Sequence, residues 1–109
     1  MLADLDEHEI ETAIISLPTP ISFAGAKAPA LARAINEEHA AMKARYPGRF
    51  GAYAVVPASD MDATMAEMAY ALDVLKLDGV CTSSNIDGVY MGDPRFDEWF
   101  AEMNRRRTV

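Results

Sequence analysis

The stretch Phe50-Gly51-Ala52-Tyr53-Ala54-Val55-Val56, which Pro57 stops, decides the fold of this chain. A second apolar run, Thr12-Ala13-Ile14-Ile15-Ser16-Leu17, lies upstream and is stopped by Pro18. Short continuous apolar runs are typical of strands that are covered on both faces, as in parallel sheets. The two runs are therefore predicted to be strands of a parallel sheet.

Helical patterns flank these strands. The first segment has Leu2, Leu5 and Ile10 in an acidic helical pattern that Met1 joins without a preceding cap. After the first strand, Pro29 suits the first turn of a helix that Pro47-Gly48 ends. Its apolar residues recur at helical spacing and are Leu31, Ile35, Met42 and Tyr46.

A third helix is predicted after Pro57, with Ser59 or Asp60 as its cap. Its apolar stripe is interpreted as packing on the sheet rather than as a binding surface, and consists of Met61, Met65, Met68, Leu72 and Leu75.

The third strand is predicted over Gly79-Val80-Cys81-Thr82-Ser83-Ser84, with Cys81 as a buried, inert thiol. A polar loop over residues 85–92 follows and contains the turn signal Asp87-Gly88. Asp93 is expected to cap, and Pro94 to open, a last helix that buries Phe96, Trp99, Phe100 and Met103. Val109 would begin a fourth strand.

Strands that alternate with helices of this length predict right-handed crossovers and a parallel sheet. The fold class is α/β, built from parallel βα units. At 109 residues the chain is at most one domain, spanning residues 1–109.

The composition excludes several classes of partner. The net charge is −7, which argues against nucleic acid and anionic membranes, because both attract clustered Lys and Arg. The run Arg105-Arg106-Arg107 instead complements the dipole of the last helix. The single cysteine predicts a reducing compartment, and hence a cytoplasmic location.

The residues typical of catalytic and metal sites are sparse. His8 and His39 are the two histidines; they form no His-x-His pair, and neither follows a predicted strand. A metal site needs three or four converging ligands. The sequence also has no Cys-x-x-Cys pair, phosphate-binding glycine loop or Gly-x-Ser-x-Gly elbow. We therefore predict neither a catalytic residue nor a metal ligand.

One polar cluster occupies a position suited to binding. Ser83, Ser84, Asn85 and Asp87 follow the third strand at its carboxyl end, the edge that faces ligands in parallel α/β folds. The loop Pro18-Thr19-Pro20 holds the equivalent place after the first strand. Asn85 and Asp87 either satisfy a turn or line a pocket, and the sequence favours the two interpretations equally. Ser84, Asn85 and Asp87 are the candidates for a substrate pocket.

Five motifs in order resemble the amidohydrolase-related family, which includes metal-dependent aromatic-acid decarboxylases of the aminocarboxymuconate-semialdehyde and dihydroxybenzoate type. They are Leu2–Asp6 with Ile10–Pro20, Ala32–Glu38 with its Arg33 and Asn36, Pro47–Ala52, Leu77–Val80, and Ser84-Asn85 with Gly88–Phe96.

The resemblance implies a partial (β/α)₈ TIM barrel that contains about strands two to four, since the whole barrel needs about 250 residues. It implies a divalent metal, zinc or similar, and a small carboxylic or aromatic acid substrate for full-length members, which hydrolyse or nonoxidatively decarboxylate it. The family's metal-binding histidines and aspartate have no counterpart here, so the chain alone is expected to be inactive. Arg33 and Asn36 are expected to be structural.

Two alternatives remain open. The chain is either a fragment or truncated member of that family, or a noncatalytic α/β interaction module or pseudoenzyme that forms a homo-oligomer through exposed sheet edges. A flavodoxin-like ligand-binding domain is less favoured, because no phosphate-binding loop follows the first strand.

Overall fold

The computed structural model describes residues 1–17 and 21–109. In chain order its main elements are α1 (Leu2–Glu7), β1 (Ala13–Ile15), a first 3₁₀ helix (Ser22–Lys27), α2 (Ala28–Arg45), β2 (Phe50–Ala54), α3 (Met61–Ala69) with a π-helical turn (Tyr70–Val74), β3 (Gly79–Val80), β4 (Asn85–Ile86), β5 (Val89–Tyr90), a second 3₁₀ helix (Pro94–Phe96) and α4 (Asp97–Arg106). No helix within these residues combines the length and the apolar character needed to cross a bilayer.

The predicted parallel sheet is confirmed. Its strand order is β1-β2-β3, with Ala13 opposite Phe50 and Tyr53 opposite Gly79. On the free side of β3, the N–H of Val80 donates to the carbonyl oxygen of Val109 over 2.8 Å. Val109 therefore lies where a fourth strand would add to the sheet, as the sequence pattern predicts.

The prediction that the first strand is covered on both faces is wrong. The ladder with β2 is limited to three residues, and Ile14 in its centre is 50% exposed. Within the described residues, β1 pairs on one edge alone, with β2. The apolar run thus indicates a strand correctly, but the described residues cover only about half of the Ile14 surface.

The third strand is shorter than predicted. It ends at Val80, and Cys81 gives a last backbone hydrogen bond to Ala54 before the chain leaves the sheet. Cys81 is consequently half-buried and lies beyond the strand, which corrects its placement as a buried mid-strand thiol. The predicted polar loop is instead the antiparallel hairpin of β4 and β5, whose Ile86 is buried and whose turn lies at Asp87-Gly88.

The methionine stripe packs into the core, as predicted. Met68 is fully buried beside Trp99 and Phe96, with Met61, Met65 and Leu72 around them. Phe100, predicted to be buried, is 42% exposed. Positions 96, 99, 100 and 103 share one stripe of the helix, but Phe100 lies at its margin and stacks against Trp99 with its outer side exposed.

The buried face of α2 also differs from the predicted stripe. It is centred on Ala28, Ala32 and Asn36, whereas Leu31 is 36% exposed. Small residues at steps of four let the helix lie close to β2, and the polar Asn36 occupies the centre of the contact. Hydrophobicity alone therefore selects the wrong face.

Glu102 pairs with two arginines at the end of α4, one of which also binds the π-helical turn after α3. Its carboxylate accepts from Arg105 Nε over 2.7 Å and from Arg106 Nε over 2.6 Å, while Arg106 also binds Asp73. The hydrogen bonds from Arg105 and Arg106 lower the pKa of Glu102 to about 2. A carboxylate whose pKa is lower in the folded than in the unfolded chain stabilises the fold above its unfolded pKa.

We expect the Glu102 contribution to be complete at neutral pH and lost as the pH falls from about 4.5 to about 2. Glu102→Gln should lower the melting temperature at pH 7 and converge with the unaltered chain near pH 2. Melting curves across this range check the prediction, and Glu98→Gln on the same helix controls for loss of one negative charge. A constant difference at every pH would contradict it.

Candidate functional site

A cleft of about 440 Å³ lies at the carboxyl edge of β1 and β2. The 3₁₀ helix that follows β1, the start of α2 and the segment that follows β2 form its walls, which consist of Gly25, Ala26, Ala28, Pro29, Pro57, Ser59 and Asp60. Most of this lining is apolar, and Ser59 and Asp60 bring its polar side chains. A cleft with apolar walls and a few placed polar groups is the usual form of a small-molecule site.

The loops after β2 and β3 meet at Ser59. Its hydroxyl donates to Oδ2 of Asp87 over 2.8 Å, across 28 residues of sequence. Asp87 and Gly88 both have positive φ, at 50° and 80°, which is the backbone of the tight two-residue hairpin turns that Asp-Gly favours. The turn therefore aims the Asp87 carboxylate at the rim of the cleft.

The predicted pocket residues are only partly brought together. Asp87 reaches the cleft through Ser59. Ser84 is exposed, and its carbonyl oxygen accepts from the N–H of Met91. Asn85 is half-buried and lies opposite Tyr90 in the hairpin. Pro18-Thr19-Pro20, the predicted counterpart after β1, lies outside the described residues.

Asn36 fixes the segment that leads from β2 into the cleft. Its amide nitrogen donates to the carbonyl oxygen of Val55 and its amide oxygen accepts from the N–H of Val55, each over 2.8 Å. Asn36 is fully buried, and Val55 is the residue directly after β2. The side chain thus replaces a neighbouring strand at the point where the sheet ladder ends.

Glu67 anchors Asn36 from α3. Its Oε1 accepts from Asn36 Nδ2 over 2.9 Å, and its Oε2 accepts from Arg33 Nε over 2.9 Å. The Arg33 guanidinium also lies 3.6 Å from the centroid of the Tyr70 ring. A nearly buried carboxylate is stable only when paired and hydrogen-bonded, and Glu67 meets both conditions. Arg33 and Asn36 therefore make structural contacts, as the resemblance implies.

Thr64 fixes the next residues of the same segment. Its Oγ1 accepts from the N–H of Ala58 over 2.8 Å, with both groups buried. Ala58 has φ of 63°, a conformation that is unfavourable for a residue with a side chain. Asp60, one of the two predicted caps, accepts from the N–H of Ala63 and caps α3. The Ser59 side chain therefore does not cap α3 and is available to line the cleft.

Ser59 is the site residue that the sequence assigns to another role. Its place between a strand end and an acidic helix start fits a cap equally well, and the cap is Asp60. Its position two residues after Pro57, at a carboxyl strand end, is the available signal for a site.

The described residues do not fit the divalent metal that the resemblance implies. Across residues 1–17 and 21–109, no three His, Cys, Asp or Glu side chains converge on a common point. His39 lies beside β2, with Nδ1 3.1 Å from the carbonyl oxygen of Tyr53, which is a contact between a helix and the sheet. Among the described residues, the cleft therefore offers walls and hydrogen bonds but no cluster of three metal ligands.

Comparison with known proteins places this geometry in a family. The family model described as amidohydrolase matches residues 18–109. The decarboxylase yanB of Aspergillus niger is 35% identical over 99% of this chain and 32% of its own length. The crystal structure of 2,6-dihydroxybenzoate decarboxylase complexed with 2,6-dihydroxybenzoate has a TM-score of 0.82 at 32% identity, over 95% of this chain and 35% of the other.

A dihydroxybenzoic acid decarboxylase from Polaromonas, with bound manganese and the inhibitor 2-nitroresorcinol, has a TM-score of 0.82 at 23% identity. That likeness covers 98% of this chain and 35% of the other, and it concerns the fold alone. The chain spans about a third of the length of the relatives it matches. Its three parallel strands correspond to part of their barrel. The family match over residues 18–109 shows that the chain belongs to the amidohydrolase-related family, alongside aromatic-acid decarboxylases.

Proposed function

We propose that this chain contributes part of the barrel of a metal-dependent decarboxylase that acts on small hydroxylated aromatic acids. The supporting observation is the identity of 35% to one decarboxylase and 32% to another along nearly the whole chain. In such a reaction the bond between the ring carbon and the carboxylate breaks, carbon dioxide leaves, and a proton takes its place on the ring. Neither an oxidant nor a reductant is consumed.

Within this function, Ser84, Asn85 and Asp87 are proposed as pocket wall. Asp87 has the strongest support, because its carboxylate binds Ser59, which lines the cleft. Ser84 and Asn85 lie at the base of the same hairpin and would line the pocket only from the side of β3. The single cysteine of the sequence fits a cytoplasmic setting.

Metal dependence is proposed for a complete enzyme, with support from the manganese in the Polaromonas relative. The metal would polarise substrate oxygens as a Lewis acid. Residues 1–17 and 21–109 supply no ligand set for it. Their part in the reaction is to bind and orient the ring, and the 109-residue chain alone is expected to release no carbon dioxide.

The test is an assay of the complete polypeptide encoded by the natural gene, first stripped of metal and then supplied with Mn²⁺ or Zn²⁺. We expect release of carbon dioxide from 2,6-dihydroxybenzoate only after metal is restored, and none from the 109-residue chain alone. Asp87→Asn in the complete polypeptide should raise KM, with Asp62→Asn on the exposed start of α3 as the matched control. Absence of turnover of any hydroxybenzoate by the metal-loaded polypeptide would refute the proposal.

A second candidate function is a noncatalytic module that forms a homo-oligomer. The half-exposed Ile14 on the β1 edge favours it, because edge strands with apolar residues pair readily with other chains. Light scattering on the purified chain would show a defined oligomer that Ile14→Lys dissociates. A monomer unaffected by that substitution would exclude this candidate.

A further inference from the structure

The cleft has one electronegative end. Asp60 lines it directly, and the carboxylate of Asp87 lies 2.8 Å from the hydroxyl of Ser59. Two like charges beside a partly enclosed space oppose the entry of a third carboxylate. An aromatic acid would therefore enter this end by the edge of the ring opposite its carboxylate.

The Ser59 hydroxyl oxygen is a hydrogen-bond acceptor for a ligand in the cleft. An ionised carboxylate only accepts hydrogen bonds, and the Ser59 hydroxyl donates its single proton to Asp87 Oδ2. The lone pairs of Ser59 Oγ remain for a donor in the cleft. A ligand group that donates without carrying charge, such as a phenolic hydroxyl, fits this arrangement better than an anion does.

The position of Ser59 is held before any ligand arrives. Its N–H donates to the carbonyl oxygen of Pro57 over 2.7 Å, and the preceding Ala58 is fixed by Thr64. Asn36 fixes Val55 two residues before Pro57. Hydrogen bonds at Val55, Ala58 and Ser59 thus hold the acceptor in place, which is the condition for discriminating between ligands by a single contact.

We infer that Ser59 is a specificity-determining residue that accepts a hydrogen bond from a phenolic hydroxyl remote from the carboxylate of the substrate. Asp87 orients the Ser59 hydroxyl. The apolar lining residues Ala28, Pro29 and Pro57 form the slot for the ring. The inference rests on the proposed function and predicts a preference, among hydroxybenzoate substrates, for those with a hydroxyl opposite the carboxylate.

The kinetic test compares 2,4-dihydroxybenzoate with salicylate, which lacks the remote hydroxyl, in the complete natural polypeptide with metal. Loss of one neutral hydrogen bond in Ser59→Ala should lower kcat/KM for 2,4-dihydroxybenzoate by about 5–10-fold more than it lowers kcat/KM for salicylate. Ser59→Thr keeps the hydroxyl and should restore the preference. Equal losses on both substrates, or no loss on either, would overturn the inference while leaving the decarboxylase function intact.

A binding test is independent of turnover. Resorcinol, a neutral ring with two phenolic hydroxyls, should shift the NMR signals of the Ala58 and Ser59 amides in the same polypeptide. Its affinity should fall about fivefold in Ser59→Ala, for the same lost hydrogen bond, and recover in Ser59→Thr. Binding that depends on Ser59 without any decarboxylation would support the phenol site and refute the proposed function. Resorcinol shifts elsewhere, with these amides unmoved, would overturn the site.

Discussion

Asn36→Leu is expected to lower the free energy of unfolding by roughly 3–5 kcal/mol, one of the two largest effects of a single substitution in this chain. Leucine has a similar volume but no amide. It would leave the N–H and carbonyl of Val55 without their partner, and Glu67 Oε1 without its donor. Buried polar groups without partners each cost about 1–3 kcal/mol.

Urea unfolding followed by circular dichroism measures this change. Asn104→Leu provides the matched control, because Asn104 is exposed on α4 and its replacement should change stability by less than about 0.5 kcal/mol. Asn36→Asp keeps the acceptor for the Val55 N–H but loses the donor and places a second buried carboxylate beside Glu67, so it should be at least as damaging as Asn36→Leu. The two hydrogen bonds between Asn36 and Val55 form a clamp on Val55. If Asn36→Leu proved no more damaging than Asn104→Leu, this clamp on Val55 would contribute nothing to the fold.

Trp99→Ala should destabilise the chain by about 3–5 kcal/mol. The indole is fully buried and lies between the helices and the hairpin, in contact with Met68, Phe96 and Ile86 in one cluster. Its removal would leave a cavity. The surrounding side chains belong to three different elements, so they cannot all move inward to fill it. A large cavity costs more than the transfer energy of the lost atoms alone.

The control for Trp99 lies beside it on α4. Phe100→Ala removes an aromatic ring that is 42% exposed and stacked on the indole, so its cost should stay near 1 kcal/mol. Trp99→Phe should also cost less than Trp99→Ala, because the indole N–H has no hydrogen-bond partner among residues 1–17 and 21–109. Comparable losses of stability for Phe100→Ala and Trp99→Ala would show that the two rings are equally buried, contrary to the structure.

The parallel sheet and its helices are predictable because strand pattern, caps and turns agree with one another. The apolar runs at Ala13 and Phe50, the cap at Asp60 and the turn at Asp87-Gly88 all hold in the structure. Agreement among independent local signals is what makes a sequence specify one fold. The (β/α)₈ barrel is predicted only through the resemblance to a family, because hydrophobic periodicity alone does not indicate it.

The error in the buried face of α2 has a long-range cause. Leu31 is apolar yet exposed, whereas Asn36 and its partner Glu67 are polar and buried. Hydrophobic periodicity assigns a face to each helix, but a long-range hydrogen bond can reverse the assignment at single positions. The partners of Asn36 lie 19 and 31 residues away, and no local pattern reveals them.

The candidate site was only partly predictable for a similar reason. Asp87 is recognisable from its place after a strand, but its contact with Ser59 joins loops 28 residues apart. Ser59 itself satisfies a local capping pattern that Asp60 fulfils instead. The sequence therefore indicates the edge of the sheet where the site lies, whereas the fold determines which hydroxyl reaches it.

The clamp on Val55 has a consequence for the internal motions of the chain. In an ordinary sheet, the protection of a backbone amide from hydrogen exchange reports on the separation of strands. Here the N–H of Val55 is covered by a side chain of α2, so its exchange with deuterium follows the lifting of that helix from the sheet. The amide of Asp78, which donates to the carbonyl oxygen of Ala52, follows the separation of β2 from the segment that enters β3. The exchange rates of the Val55 and Asp78 amides therefore report on two different opening motions. Faster exchange at Val55 would show that α2 lifts from the mouth of the cleft before the strands separate.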